Sequence, residues 1–261
     1  MDYQLKDKRA FISGSTKGIG FAIARTLAQE GAEVIINGRT QKSIDEALNK
    51  LKNDAPEAKI SGITCDFSKT EEITALIKKV GSVDILVNNV GVFVQTDFLE
   101  IPDDEWQRFY DVNVMSGVRL SRAFLPAMLK KNWGRIIFIS SESAINIPVE
   151  MVHYGMTKTA QLAISRGIAE TTKSTNVTVN AVLPGPTLSE GVKEMASITD
   201  EKSKNEAEDQ FFSEARPSSI IQRFIDPQEV ANLVAYVASP LSAATNGAAL
   251  RVDGGVAKIM L

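Results

Sequence analysis

The stretch Arg9-Ala10-Phe11-Ile12-Ser13-Gly14-Ser15-Thr16-Lys17-Gly18-Ile19-Gly20 decides how the chain is read. A short apolar run breaks into a turn with three glycines, and a helical pattern follows at once. Ile19, Ile23 and Leu27 repeat at helical spacing, and Gly31 supplies a stop signal. Glycine allows the unusual φ of a sharp turn and lets the backbone approach a pyrophosphate with no Cβ in the way. The start of the helix then aims free N–H groups at the phosphates. Gly14, Ser15, Thr16, Lys17, Gly18, Ile19 and Gly20 are therefore the first candidate cofactor-binding residues.

Outward from this turn the alternation of strand and helix continues to the end of the chain. Strands are expected at Arg9–Ser13, Glu33–Asn37, Ile60–Cys65, Ile85–Asn88, Arg135–Ser140, Val177–Leu183 and Ala248–Val252. Most are continuous apolar runs such as Ile136-Ile137-Phe138-Ile139, the composition of parallel strands covered on both faces. Helices are expected at Ile19–Gln29, Thr40–Leu51, Lys69–Val80, Tyr154–Thr171 and Pro227–Ala238. A long helix or helix pair spans Asp103–Lys130, with a kink or break expected at Pro126. From Leu188 to Ser219 the strand signal disappears and small polar and charged residues dominate, which points to a partly helical lid. The expectation is an α/β fold, residues 1–261 forming a single domain with a lid at about 188–219.

The end of the second strand bears on the cofactor. It reads Ile36-Asn37-Gly38-Arg39-Thr40, lacking the acid that holds a ribose 2′-hydroxyl about 20 residues past the glycines of an NAD site. Arg39 can pair with a 2′-phosphate and Lys17 adds a second cation, so NADP is favoured over NAD. Composition excludes other classes. Lys plus Arg number 29 against 32 Asp plus Glu, a net charge of −3 that gives no basic surface for nucleic acid or anionic membrane. A single cysteine, Cys65, and a single histidine, His153, leave the usual zinc sites without ligands, so no metal is expected. Cys65 reads as a small buried hydrophobe and His153 as a loop or pocket-edge residue. The N-terminus lacks the apolar run of a signal peptide and no stretch is long enough to span a bilayer, so a cytoplasmic protein is expected.

The motifs together resemble the short-chain dehydrogenase/reductase family, in its single-domain branch of about 250 residues, over essentially the whole chain. Gly14-x-x-x-Gly18-x-Gly20 matches the branch's cofactor turn, and Asn88-Asn89-Val90-Gly91 resembles its Asn-Asn-Ala-Gly element with Val90 in place of alanine. Tyr154-x-x-x-Lys158, with Ser141 thirteen residues upstream and Asn113 in the long helix, is similar to the family's Asn-Ser-Tyr-Lys tetrad. Asp253-Gly254-Gly255 is a further family hallmark. The resemblance implies a Rossmann-type doubly wound sheet of seven parallel strands and a nicotinamide-dependent oxidoreductase. It also implies that Asp66 and Phe67 meet the adenine, and that Asn89, Gly91, Pro184, Gly185 and either Thr187 or Ser189 border the cofactor. In the family Tyr154 is the acid or base, Lys158 tunes it and holds the nicotinamide ribose, Ser141 donates to the substrate oxygen, and Asn113 anchors a proton-passing water. Homodimers or homotetramers are expected from the same likeness, with the apolar end Val256-Ala257-Lys258-Ile259-Met260-Leu261 covering a partner or the chain's own core.

The chemistry asks for these residue types. A tyrosine of ordinary pKa ~10 must be brought down to serve as a reversible acid and base near neutrality. An ammonium ~6 Å away in an effective dielectric of ~20 supplies roughly 3 kcal/mol, worth about two pH units, so Lys158 is expected to lower Tyr154 part of the way, with the rest left to the positive ring of the oxidised cofactor. The stretch between Ser141 and Tyr154 offers Ile145, Ile147, Pro148, Val149, Met151 and Val152 and no Arg or Lys, which favours an apolar ketone or secondary alcohol. Two alternatives share the motifs: a 3-oxoacyl-thioester reductase whose lid lysines Lys193, Lys202 and Lys204 meet an acidic carrier, and a nucleotide-sensing protein without catalysis.

Overall fold

The computed structural model describes residues 2–260, apart from the side chain of Met195. In chain order the elements are β1 (Arg9–Ile12), α1 (Gly18–Gln29), β2 (Glu33–Gly38), α2 (Gln41–Asp54), β3 (Ile60–Thr64), α3 (Thr70–Val80), β4 (Ile85–Asn88), α4 (Asp103–Phe109) and α5 (Ser116–Lys131). They continue as β5 (Gly134–Ile139), α6 (Val152–Glu170), β6 (Val177–Pro184), α7 (Glu190–Met195), α8 (Glu201–Glu214), α9 (Pro227–Ala238) and β7 (Ala249–Val252). All strand pairs are parallel and the sheet order is β3-β2-β1-β4-β5-β6-β7. The order reverses between β1 and β4, so the loops after these two strands diverge and leave a crevice at the carboxyl edge.

Alternate strand residues feed two cores. Ile12, Val34, Ile36, Val87, Ile137 and Val182 pack under α1, α2 and α9, while Phe11, Ile35, Leu86, Ile136, Phe138 and Val179 pack under α3, α5 and α6. Burial on both faces accounts for the unbroken apolar runs. Only β7, at the edge, keeps an alternating exposed pattern. Capping is local and legible: Asp226 and Glu229 form a reciprocal capping box that starts α9 at Pro227.

Two expectations change. Pro126 does not break the long helix; it lies inside α5 on the solvent side, where a helix can bend slightly and lose one bond to water. The irregularity falls earlier, as a π-helical turn over Tyr110–Met115. Residues 188–219 carry two helices, α7 and α8, and α8 is anchored by buried Phe212 and by the Glu208 carboxylate accepting from the Phe224 N–H at 2.9 Å. Near the end of the chain Val256 and Ala257 are buried against the chain's own fold, whereas Met260 is exposed; Leu261 lies outside the described residues.

His153 is the second correction. It is neither in a loop nor at a pocket edge, because α6 begins at Val152 and turns the imidazole inward. The ring is fully buried, 4.1 Å from the Phe109 ring centroid and 5.9 Å from that of Trp106, and neither nitrogen has a hydrogen-bond partner among the described residues. Burial holds its pKa below the usual 6.5, Glu105 pulling it back up and Arg108 pushing it further down. The unfolded chain therefore takes up this proton first as pH falls. The stability is whole above about pH 6.5 and erodes below it by up to about 1 kcal/mol per pH unit. Thermal melts at pH 7.5 and 5.5 should show a loss in the wild type of about 2–4 °C per kcal/mol that His153→Phe largely removes.

Candidate active site

The glycine turn between β1 and α1 is built from close contacts. Gly14 has a φ of +61°, and a Cβ on Gly20 would lie 2.4 Å from the Gly14 carbonyl oxygen and 2.5 Å from Asn89 Nδ2. Asn89 Nδ2 donates to the carbonyls of Ser13 at 3.0 Å and Gly14 at 2.8 Å, so this residue shapes the turn from β4. Ser15 is fully buried, its hydroxyl donating to Ile12 O at 2.7 Å and accepting from Asn37 N at 2.9 Å; Asn37 Oδ1 accepts from Gly14 N at 3.0 Å. At the start of α1 the Gly18 N–H donates to Glu190 Oε2 at 2.8 Å. A carboxylate thus stands where the turn is shaped to take an anion, and the residues fit a dinucleotide pyrophosphate.

Around this turn the other candidates separate into two kinds. Lys17 and Arg39 are exposed at the rim, beside β2. Asp66 has its carboxyl held below the ordinary range, chiefly by the Ser68 backbone N–H and also by Ser68 Oγ and the charges of Lys69 and Arg39. The Phe67 side chain, by contrast, is buried in the core, which leaves only its backbone for the adenine contact that the resemblance implies. Cys65 is buried too, and burial pushes its thiol up to about 12, as suits an inert hydrophobe.

β5, β6 and α6 converge on the second half of the cleft, which measures about 190 Å³ and includes Ile19, Ser141, Tyr154, Pro184, Gly185, Thr187 and Ser189 along its walls. Ser141 directly follows the short extended link after β5 and lines the cleft with Tyr154, its hydroxyl donating to Glu142 Oε2 at 2.6 Å. Lys158, one turn along α6, places Nζ 5.5 Å from the Tyr154 ring centroid and donates to Ile139 O at 2.9 Å. Gly91 closes this corner: a Cβ there would come within 3.6 Å of Lys158 Nζ and 3.4 Å of Asn113 Oδ1. Thr187 and Ser189 both line the cleft, the first donating to Gly185 O at 2.8 Å and the second capping α7 through the Val192 N–H.

The electrostatics reverse the expectation for Tyr154. Its pKa lies well above the ordinary phenol value, raised first by burial and further by the Glu142 charge, while the Ser141 hydroxyl opposes. Burial also lowers Lys158 to about 8. Loss of water outweighs the attraction expected from the ammonium, which is itself disfavoured in the same dry corner. Asn113 differs as well. Its side chain is tied to the Val92 backbone at 2.7 and 3.0 Å and to Thr157 Oγ1 at 3.0 Å. Its carbonyl accepts from buried Gln161 Nε2 at 2.6 Å, and Gln161 Oε1 lies 3.5 Å from Lys158 Nζ. An amide side chain therefore bridges Asn113 and Lys158. The signal in the sequence was an amide three residues past Lys158, on the same helical face.

The wall expected to be apolar is mixed, with Phe93, Met151 and Val192 lining the cleft beside polar groups. Met151 does line the cleft, but Ile147 and Val149 face solvent at 48% and 83% exposure. Beside Ser141 the cleft instead presents Glu142, Ser143 and Arg216, the last arriving from the chain after α8. Among the described residues no group of three His, Cys, Asp or Glu could hold a metal ion, and no helix is long and apolar enough to cross a membrane.

Known proteins share this architecture. A family model described as enoyl-(acyl carrier protein) reductase matches residues 14–257. An uncharacterised oxidoreductase of Bacillus subtilis, YvaG, is 49% identical over 99% of both chains. A 3alpha-hydroxysteroid dehydrogenase of Mediterraneibacter gnavus is 32% identical over 97% of this chain and 98% of its own length. Among solved structures, the L-sorbose reductase of Gluconobacter frateurii complexed with NADPH and L-sorbose matches with a TM-score of 0.91 at 31% identity, covering 100% of both chains.

The glycine turn is open to direct test. Gly20→Ala places a methyl against the Gly14 carbonyl and Asn89, and overpacking of about 1–3 kcal/mol should weaken dinucleotide binding about tenfold or more. Titration of NADPH fluorescence measures the affinity, and far-UV circular dichroism checks that the fold is kept.

Proposed function

The chain belongs to the short-chain dehydrogenase/reductase family, and on that premise we propose that it reduces a neutral, hydroxylated ketone with NADPH, and oxidises the matching alcohol with NADP. The observation that carries the reading is the meeting of Ser141, Tyr154 and Lys158 in one cleft beside the glycine turn. A bound nicotinamide supplies the hydride. Tyr154 gives its hydroxyl proton to the developing alkoxide in reduction and takes it back in oxidation. Ser141 donates to the same oxygen from a fixed place after β5. Lys158 is mostly charged at pH 7, since its pKa is about 8. It steadies the tyrosinate, would hold the nicotinamide ribose when the cofactor is bound, and is held in place by Ile139 O and Gln161.

The cleft mixes apolar Phe93, Met151 and Val192 with polar Ser141, Glu142 and Ser143, which suits a neutral substrate carrying both kinds of group. Glu142 is paired with Arg216, which leaves this wall no free cation to hold a carboxylate or phosphate. L-sorbose, the ligand of the Gluconobacter frateurii reductase, is a molecule of the favoured kind. For the thioester-reductase reading, Lys202 pairs with Glu206 at 3.8 Å and Lys204 with Glu201 at 3.0 Å, which leaves Lys193 as the lid lysine to meet an acidic carrier. For the cofactor, exposed Arg39 and Lys17 and the missing acid after β2 support NADP over NAD.

Two assays test this. Following NADPH absorbance with a ketose, Tyr154→Phe should lose about 10³-fold or more in kcat while binding NADPH with unchanged affinity. Arg39→Ala should raise KM for NADPH by about tenfold and leave KM for NADH unchanged, the signature of a lost 2′-phosphate contact; an equal effect on both cofactors would refute the NADP assignment.

A further inference from the structure

Glu142 has no part in moving the hydride or the proton, yet its carboxylate is buried directly beside Ser141. Oε2 accepts from Ser141 Oγ and from Ser143 Oγ, each at 2.6 Å, and Oε1 accepts from Arg216 Nε at 3.1 Å. Arg216 is buried as well; it lies 3.5 Å from Glu150 Oε1, donates to Ala215 O at 2.8 Å and sits 5.8 Å from the Phe211 ring centroid. Burying a carboxylate is costly unless it is paired and hydrogen-bonded. Here it also works against the chemistry, because the Glu142 charge pushes the Tyr154 hydroxyl further up. A glutamine in its place would spare that penalty, but its neutral amide oxygen is the weaker acceptor and its amide nitrogen only donates.

The serine hydroxyl explains what the charge is for. Ser141 owns a single proton, which in the resting site is given to Glu142. When Ser141 turns that proton to a ketone oxygen, an acceptor position on Glu142 Oε2 is freed one hydrogen-bond length away. In an α-hydroxyketone the hydroxyl sits on the carbon next to the carbonyl, within reach of that position. We propose that Glu142 is the specificity-determining residue of the site: its carboxylate accepts the hydroxyl carried on the carbon adjacent to the reacting carbonyl, while Arg216 pairs with the other oxygen and ties the chain after α8 to the cleft wall. The assignment rests on the ketone-reductase reading above and names the substrate class as α-hydroxyketones.

The test compares hydroxyacetone with butanone, two ketones of equal heavy-atom count that differ by a hydroxyl in place of a methyl. With NADPH, the wild-type chain should favour hydroxyacetone by about tenfold or more in kcat/KM, as expected where a buried polar group would be left unpaired. Glu142→Gln should collapse that ratio to within about threefold of one, whatever its effect on the absolute rates, and Glu142→Asp should restore part of it. Arg216→Gln should also reduce the ratio, and Arg216→Lys should retain more of it. A wild-type ratio near one overturns the assignment and leaves the reductase reading intact. So does a Glu142→Gln variant that loses rate on both ketones with the ratio unchanged, since a packing role alone would produce that. NADPH binding with reduction of neither ketone overturns the reductase reading and this assignment with it.

Discussion

Lys158 Nζ donates to the carbonyl of Ile139 at 2.9 Å, joining the middle of the site to the last residue of β5. That bond sets the depth at which α6 rests against the carboxyl edge of the sheet, and with it the position of Tyr154 against Ser141. It also buries the ammonium, and burial acts on both side chains in opposite directions: the phenol becomes a weaker acid and the ammonium a stronger one. The site at rest is therefore a neutral phenol beside a lysine that titrates near pH 8. Neither group is matched to proton transfer by itself, which places the remaining adjustment on whatever charge enters the cleft with cofactor and substrate.

Much of this was legible in the chain. The seven strands fall within a residue or so of the expected positions, because both faces of a parallel sheet are buried and the apolar runs carry no competing pattern. The glycine turn and the Tyr154–Lys158 spacing read directly, since each depends on residues close in sequence. What escaped depends on partners far apart. Arg216 reaches Glu142 across 74 residues, so no local pattern announces that a lid cation will sit in a stretch free of Arg and Lys. His153 was misplaced because α6 begins earlier than its apolar period suggests, and Ile147 and Val149 because an apolar loop gives no sign of which way it faces. The direction of the Tyr154 shift was lost for a related reason: charge separation can be read from i, i+4 spacing, but desolvation requires the packed structure.

The substrate end of the cleft follows a different logic from the cofactor end. At the glycine turn backbone N–H groups, helix start and peripheral cations all favour negative charge, and the Glu190 carboxylate already rests on the Gly18 N–H. Across the cleft the buried Glu142 carboxylate is matched by Arg216, with Ser141 and Tyr154 between the two ends.

The central claim is that burial, not the neighbouring ammonium, governs the Tyr154 hydroxyl in the cofactor-free protein. Ultraviolet difference titration of tyrosinate, wild type minus Tyr154→Phe, measures it most directly. The account predicts no ionisation assignable to Tyr154 up to about pH 10, the ordinary phenol value. A tyrosinate signal that appears below about pH 9 in the wild type and is missing from the variant would contradict it.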